Sequence, residues 1–128
     1  SDMQKRKEIR DNSGADIFIS IHQNHFEQSK YYGAQVMYDT KNPKAKILAG
    51  YVQKQLRNIL DQNNKRVEAP ASKDKFITQS PEAITIIVEC GFMSNPTELA
   101  LLKTDTYQDQ VAWAIYLGVV NFFDQHYQ

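Results

Sequence analysis

The sequence predicts an α/β fold in three layers, with a twisted, mostly parallel or mixed sheet flanked by helices. Two runs rich in isoleucine, valine and phenylalanine, residues 16–21 and 84–88, are typical of strands buried on both faces. Segments with helical periodicity alternate with these strands. The length of 128 residues suits one domain, which we expect to span residues 1–128.

Periodicity and capping residues predict two helices in the first half of the chain. Residues 2–13 form the first, with a thin apolar side at Met3 and Ile9 and a stop signal at residues 12–14. Asn42 caps the second helix, and Pro43 occupies its first position. The apolar stripe of this second helix consists of Ala45, Leu48, Val52, Leu56 and Ile59.

Two further helices are predicted near the end of the chain. Asn95 caps the third, Pro96 follows, and Glu98 is placed to reach back to the cap as in a capping box. This helix should end near Leu102, and the last one should begin at residues 105–106. The apolar stripe of the last helix includes Val111, Ile115, Gly118, Val119, Phe122 and Phe123.

The remaining segments read as strands and loops. Residues 33–38 predict a second strand along the chain, and residues 75–77 predict a short further one. Residues 22–30 are polar and predict a loop. Residues 61–74 are also polar and predict a long, mobile connection, of the kind that often borders an active site.

The charge balance argues against a nucleic-acid binder. Fifteen Lys and Arg residues offset fifteen Asp and Glu residues, so there is no basic excess. The basic cluster of Lys5, Arg6, Lys7 and Arg10 lies within the first predicted helix, and we interpret it as a solvated helix face.

One cysteine, Cys90, excludes an internal disulfide. Its place at the end of an apolar strand favours a small buried hydrophobic residue over a catalytic thiol. No apolar run approaches the roughly 18 residues of a membrane span.

Polar residues follow the two apolar strands at their carboxyl ends, where binding crevices of α/β sheets lie. His22 and Asn24 follow the first strand, and Glu89 follows residues 84–88. Imidazole is a good zinc ligand, and a carboxylate suits general acid–base work. A metal-ligand candidate beside a general-base candidate indicates metal-assisted hydrolysis.

Each of these residues also has a structural interpretation. His22 could be a hydrogen-bonded residue at a strand end, which is the commoner role of a lone histidine. His25 could be a second ligand, although histidines in loops are more often exposed without a ligand role. Glu89 could form a salt bridge or cap a turn, because a glutamate beside an apolar run suffers a desolvation penalty unless something pairs with it. Spacing identifies one good zinc ligand, His22, whereas a catalytic zinc needs about three protein ligands.

Two long blocks resemble the zinc N-acetylmuramoyl-L-alanine amidases of the amidase-3 family. Residues 15–24 read ADIFISIHQN and resemble that family's ADLFISIHAN block. Residues 87–98 read IVECGFMSNPTE and resemble its VLVELGFLSNPEE block. Between them, residues 33–36 match the strand after the histidine loop, and residues 46–56 match a long helix. Arg6 falls where the family tends to have an arginine, so the resemblance covers essentially the whole chain.

The resemblance implies a zinc ion held by two histidines and one glutamate, with His22 as the last of these ligands. It also implies that Glu89 is the catalytic glutamate, and we assign Asn24 to substrate binding. The implied reaction is hydrolysis of the amide between the lactyl group of N-acetylmuramic acid and L-alanine in peptidoglycan. Zinc would polarise the carbonyl, and Glu89 would accept a proton from water and deliver one to the leaving amine.

Cys90 within the second block and Tyr107-Gln108 near the end resemble the sporulation and germination amidases of spore-forming bacteria. Those enzymes act on the peptidoglycan of the spore cortex. We therefore expect an extracytoplasmic role in the cell wall or spore cortex, with peptidoglycan as the substrate and an activating protein as a further partner.

One departure from the family is large. Its first histidine lies in a Gly-His-Gly-Gly-like turn after the first strand, and its glutamate ligand lies on the first helix. Neither block occurs here, so we expect a domain that lacks the first strand and helix, with two zinc ligands outside this chain. An exposed sheet edge should then favour self-association, and the fragment alone should bind zinc weakly and be inactive.

Two other function classes compete with this interpretation. One is an inactive module that binds peptidoglycan or a partner on the amidase fold, which the loss of two ligands favours for this chain. The other is an unrelated α/β hydrolase or nucleotide binder. The sequence contains neither a Gly-rich phosphate loop nor a Gly-x-Ser-x-Gly elbow, which argues against the second class.

Overall fold

A four-stranded sheet in the order β1-β4-β2-β3 organises the chain. The computed structural model describes residues 2–72 and 82–126. The elements are α1 (Asp2–Ser13), β1 (Ile17–Asn24), β2 (Gln35–Tyr38), α2 (Pro43–Ile59), β3 (Ala69–Pro70), β4 (Ile84–Phe92), α3 (Pro96–Leu102) and α4 (Asp105–His126).

The sheet is mixed, as predicted. β4 pairs in parallel with β1, from Ile17 opposite Ile84 to His22 opposite Glu89. On its other side β4 pairs antiparallel with β2, and β2 pairs in parallel with the two-residue β3. β4 is therefore central, which explains why its residues are buried throughout and why they read as one apolar run.

The main core lies between one face of the sheet and helices α2 and α4. Alternate residues of β4 point into it, because side chains on a strand alternate between the two faces. The buried core residues of this face include Val36, Leu48, Ala49, Val52, Leu56, Ile84, Ile86, Val88, Ala114 and Phe122. The two helices meet closely at Gly118, where a Cβ would lie 2.7 Å from the Cα of Val52.

Helix α1 differs from its predicted packing. The apolar side expected at Met3 and Ile9 is not buried, since Ile9 is 65% exposed. Arg10 is the buried residue of this helix, at 1% exposure, so the interpretation of the whole basic cluster as a solvated face was wrong for Arg10. Its Nη1 donates to Thr85 Oγ1 at 3.4 Å, and its guanidinium lies 6.0 Å from the ring centre of Phe18. These contacts place α1 against the face of the sheet opposite α2 and α4.

The predicted caps of α2 and α3 are confirmed. Asn42 Oδ1 accepts from Lys44 N, and Asn95 Oδ1 accepts from Thr97 N and Glu98 N. The predicted capping box is wrong, because the Glu98 carboxylate reaches backbone groups outside its own helix. In α4 the predicted stripe is buried apart from Phe123, which is 37% exposed, and Val119, which is half-buried.

The connection after α2 is held in place rather than mobile over residues 61–68. Arg57 donates from Nε to Asn64 O at 3.0 Å and from Nη2 to Arg66 O at 2.8 Å. Asn64 is buried, and its Nδ2 donates to Ala34 O at 2.8 Å. The strand predicted at residues 75–77 lies outside the described residues. Within the described residues, no helix has the length and apolar character needed to cross a membrane.

Candidate active site

His22 and Glu89 lie opposite each other in the parallel pairing of β1 with β4. Both were expected just beyond their strands, but both strands are longer than predicted and include them. Val88 packs into the α2–α4 core, so Glu89 and its neighbour His22 point to the other face. Adjacent strands lie about 4.8 Å apart, which brings the two side chains together.

Gln35 extends this pair into a row across three strands. It lies opposite Glu89 in the antiparallel pairing, and its neighbour Val36 is buried in the core on the other face. Glu89, in the middle of the row, is only 4% exposed. The imidazole of His22, the carboxylate of Glu89 and the carboxamide of Gln35 therefore form one row across three strands, on one face of the sheet.

The imidazole of His22 is oriented from its own strand. Ser20 Oγ lies 2.6 Å from His22 Nε2, and Ser20 is buried two residues earlier on the same face. A hydrogen bond to one ring nitrogen fixes the plane of an imidazole, as the outer-shell partners of metal-ligating histidines do. This geometry suits a ligand role for His22.

The donor set on the described residues is incomplete for a catalytic zinc. Residues 2–72 and 82–126 hold no cluster of three or more His, Cys, Asp or Glu side chains able to bind a metal. His25 is exposed on the loop after β1, where its backbone N–H donates to Asn24 Oδ1 at 2.9 Å. Among the described residues, His22 is thus the one side chain placed to serve as a zinc ligand, and Glu89 lies beside it.

The strand pairing changes immediately beyond His22 and Glu89. Asn24 lies opposite Phe92, so β4 has one more residue than β1 across this interval. Such a bulge bends a strand and redirects its side chains, and bulges are frequent beside active sites. The bulge contains Cys90 and Gly91, and a Cβ on Gly91 would lie 3.3 Å from Glu98 Oε1. Gly91 therefore permits the close approach of the Glu98 carboxylate to the backbone of β4.

Two side chains hold the backbone of this bulge. Tyr107 Oη donates to Cys90 O at 2.8 Å, and Glu98 Oε1 accepts from Phe92 N at 2.8 Å. Burial raises the pKa of Tyr107, with smaller contributions from Glu98 and other nearby groups, so its phenol remains a neutral donor. The segment that follows Glu89 is thereby fixed by residues of α3 and α4.

The loop after β1 is joined to the loop after β4. Met93 N donates to Asn24 O at 2.7 Å, and Phe26 N donates to Ser94 Oγ at 3.0 Å. Asn24 is half-buried at the end of β1, beside the row that contains His22. The structure thus brings all three predicted site residues to one end of the β1–β4 pair.

Cys90 faces away from this row. It is buried, and it belongs to the core on the α2–α4 side of the sheet. Burial raises the pKa of its thiol to about 11, with a smaller contribution from the charge of Glu89. The prediction of a small buried hydrophobic residue is confirmed.

Sequence reasoning missed Gln35, Glu98 and Arg66 at this site. Gln35 and Glu98 lay within the matching blocks, but their roles depend on partners distant in sequence; Glu98, for example, binds Gly33, 65 residues away. Arg66 lies in the polar connection of residues 61–74, whose composition does not distinguish it from other loops. Its Nη1 lies 3.4 Å from Gln35 Oε1, at the end of the row.

Known proteins match this fold and its blocks. The family described as Amidase_3, N-acetylmuramoyl-L-alanine amidase, matches residues 1–121. A germination-specific N-acetylmuramoyl-L-alanine amidase of Bacillus subtilis is 33% identical over 97% of this chain and 52% of its own length. The amidase LytC of the same organism is 29% identical over 94% of this chain and 24% of its own length.

Solved structures match as well. The CwlD amidase of Clostridioides difficile, in complex with the GerS lipoprotein, has a TM-score of 0.90 and 41% identity over 95% of this chain and 61% of its own. An N-acetylmuramoyl-L-alanine amidase of Clostridium difficile 630 has a TM-score of 0.88 and 27% identity over 97% of this chain and 66% of its own. The chain thus spans about half to two-thirds of these two structures and of the germination amidase. Because the family match runs over nearly all of its residues, the chain belongs to the amidase-3 family of N-acetylmuramoyl-L-alanine amidases.

Proposed function

We propose that the protein carrying this chain hydrolyses the amide bond between the lactyl group of N-acetylmuramic acid and L-alanine in peptidoglycan, with zinc as its cofactor. The observation that supports this most is the placement of His22 opposite Glu89 at the end of β1 and β4. Membership of the amidase-3 family supports the substrate class.

In this proposal His22 is one zinc ligand, and Ser20 sets the plane of its ring. The other two ligands are contributed from outside this chain, in line with the share of the relatives that the chain spans. Zinc, when bound, supplies a Lewis acid at the scissile carbonyl.

Glu89 is the general base and then the general acid. It accepts a proton from the attacking water and delivers one to the nitrogen of the leaving L-alanine. Burial on a strand, at 4% exposure, keeps its carboxylate in one position. Asn24, at the end of β1 on the same side, is placed to contact the substrate beside the reacting amide.

The test uses the full-length protein with zinc and purified peptidoglycan. Wild-type protein should release stem peptides with new L-alanine amino termini, without new reducing sugar ends. Glu89→Gln should lower this rate by about 10²- to 10⁴-fold, the usual contribution of a general acid–base group. Glu82→Gln removes an exposed carboxylate just before β4 and should leave the rate unchanged. Full activity of Glu89→Gln would exclude the proposed mechanism.

We place this activity outside the cytoplasm, at the cell wall or spore cortex. The support is the likeness to a germination-specific amidase and to an amidase solved with a lipoprotein. The same likeness supports a protein partner that activates the enzyme. Fractionation of spores and vegetative cells with an antibody against the protein tests the location.

A second candidate applies to the chain by itself: a non-catalytic module that binds peptidoglycan or a partner. The observation that favours it is the incomplete donor set on the described residues. The isolated chain should then bind zinc weakly and lack amidase activity, while still sedimenting with insoluble peptidoglycan. Stoichiometric zinc after dialysis against a mild chelator would contradict this.

A further inference from the structure

We propose that Arg66 binds a carboxylate of the peptide stem and so makes the enzyme selective for stems with free carboxylates. This inference rests on the proposed amidase function and names the part of the substrate that the site reads. It is carried by the position of Arg66, by the way its guanidinium is held, and by the lack of an ion pair to Arg66 within residues 2–72 and 82–126.

Arg66 stands at one end of the row formed by His22, Glu89 and Gln35. Its Nη1 lies 3.4 Å from Gln35 Oε1, and Gln35 Nε2 donates to Val67 O at 2.8 Å. Since adjacent strands are about 4.8 Å apart, Gln35 lies about 10 Å from His22 across the sheet. That distance suits a group one or two residues along a peptide from an amide held at His22.

The guanidinium is held before any ligand arrives. Arg66 Nε donates to Tyr32 O at 2.8 Å, and the guanidinium carbon lies 4.8 Å from the centre of the Phe92 ring. Its backbone is fixed at both ends, because Arg66 N donates to Asn64 Oδ1 at 3.0 Å and Arg57 Nη2 donates to Arg66 O at 2.8 Å. A side chain ordered in this way loses little entropy when it binds.

The groups that the Arg66 side chain contacts among the described residues carry no negative charge. Within residues 2–72 and 82–126, ion pairs join Arg6 to Asp2 and both Lys7 and Arg10 to Asp11, and none involves Arg66. These groups are the carbonyl oxygen of Tyr32, the carboxamide oxygen of Gln35 and the ring face of Phe92. A half-buried arginine whose partners in the described part of the chain are all neutral suits a planar anion, because arginine pairs with carboxylates more strongly than with neutral acceptors.

The chemistry of the substrate identifies the anion. In peptidoglycan the lactyl carboxyl of the sugar is consumed in the scissile amide, so free carboxylates belong to the peptide. An arginine that reads a carboxylate at this site therefore reads the peptide side of the amide. The preference for free carboxylates should appear in KM rather than in kcat, because the contact with Arg66 is remote from the reacting atoms.

The test uses the full-length zinc-loaded protein and two muropeptides with the same glycan, one with free peptide carboxylates and one with those groups amidated. Wild-type protein should have the lower KM for the free-carboxylate substrate. Arg66→Ala should raise KM for that substrate by about 10- to 100-fold, with a small change for the amidated one. Arg66→Lys should restore part of the preference, because it keeps the charge but not the planar fork.

Lys65→Ala is the matched control, since it removes an adjacent exposed cation and should leave both KM values unchanged. Equal loss on both substrates, or no loss with Arg66→Ala, would overturn the inference about Arg66 alone. Wild-type protein that cleaves neither substrate would overturn the proposed function, and the inference with it.

Discussion

Glu98 holds the backbone of Phe92, three residues beyond Glu89, by accepting its N–H at 2.8 Å. The other carboxylate oxygen of Glu98 accepts from Gly33 N at 2.9 Å, in the segment just before β2. One side chain thus joins the end of β4 to the start of the neighbouring strand. This places Glu98 as a positioning residue for the row that contains Glu89.

Replacement of Glu98 should affect both stability and turnover. Glu98→Ala removes two hydrogen bonds to a charged acceptor, so the free energy of unfolding should fall by about 2–3 kcal/mol. In the full-length enzyme kcat should fall more than KM rises, because the bulge next to Glu89 is no longer fixed. Denaturant unfolding and steady-state kinetics measure the two effects. Thr97→Ala, at the neighbouring exposed position, should change neither, and an unchanged kcat in Glu98→Ala would exclude the positioning role.

Gly118→Ala should destabilise the protein although alanine is the better helix former. A Cβ at this position would lie 2.7 Å from the Cα of Val52, a backbone atom that cannot move without shifting α2. Such overpacking costs about 1–3 kcal/mol, which outweighs the roughly 1 kcal/mol that alanine gains over glycine in a helix. Thermal unfolding measures the change. Gln110→Ala, on the exposed side of α4, is the control, and a stabilised Gly118→Ala would show that the helices are not in close contact.

Cys90 should be inert to thiol reagents in the folded protein. Its thiol is buried, and its pKa is raised to about 11. Alkylation by iodoacetamide at pH 8 should therefore be slow, and it should become fast in denaturant. Because Cys90 is the sole cysteine of the chain, mass spectrometry reads this single event directly. Rapid modification of folded protein at pH 8 would contradict the buried position.

The same pKa shift predicts a pH dependence of stability. The thiol of the unfolded chain ionises near its ordinary value of 9.0, whereas the folded thiol keeps its proton until about pH 11. Between these values the unfolded state loses the proton first, so the free energy of unfolding should decrease as pH rises, by at most about 3 kcal/mol. Cys90→Ala should remove this part of the slope between pH 8 and pH 10. An identical slope in the variant would contradict the shift.

The outer edge of β1, which pairs with no further strand of the described sheet, should promote self-association of the isolated chain. β1 is an outer strand of the described sheet, and its Ile21 is 60% exposed beside a groove of about 280 Å³. Ile21→Lys should reduce association, because a charge on an edge strand opposes pairing. Light scattering measures this. Val67→Lys, at a similarly exposed position away from β1, should leave association unchanged; a monomeric wild-type chain would exclude the prediction.

The features of the fold that depend on local residue patterns were predicted from the sequence. The apolar run of β4 indicated a buried central strand, and the Asn-Pro pairs marked the starts of α2 and α3. The end of β1 was missed because His22, Gln23 and Asn24 are polar, and polar residues are tolerated where an outer strand is partly exposed. The burial of Arg10 was missed because a long cation on a helix is usually solvated.

The sequence identified the candidate site residues, but it did not identify the side chains that surround them and hold them in position. The blocks around His22 and Glu89 singled out both residues, and the register of β1 against β4 brings them together. The contact of Glu98 with Gly33 and that of Arg66 with Gln35 join segments 65 and 31 residues apart. Contacts of this kind arise only from the tertiary fold, so periodicity and capping rules cannot reveal them.

The most direct test of the central claim measures zinc content and turnover together in the full-length protein, for wild type, His22→Ala and Glu89→Gln. If His22 is a metal ligand and Glu89 the general base, His22→Ala should lose both zinc and activity. Glu89→Gln should keep its zinc and lose about 10²- to 10⁴-fold in turnover. His22→Ala with full zinc and activity, or Glu89→Gln with normal turnover, would contradict the assignment of these two residues to one zinc amidase site.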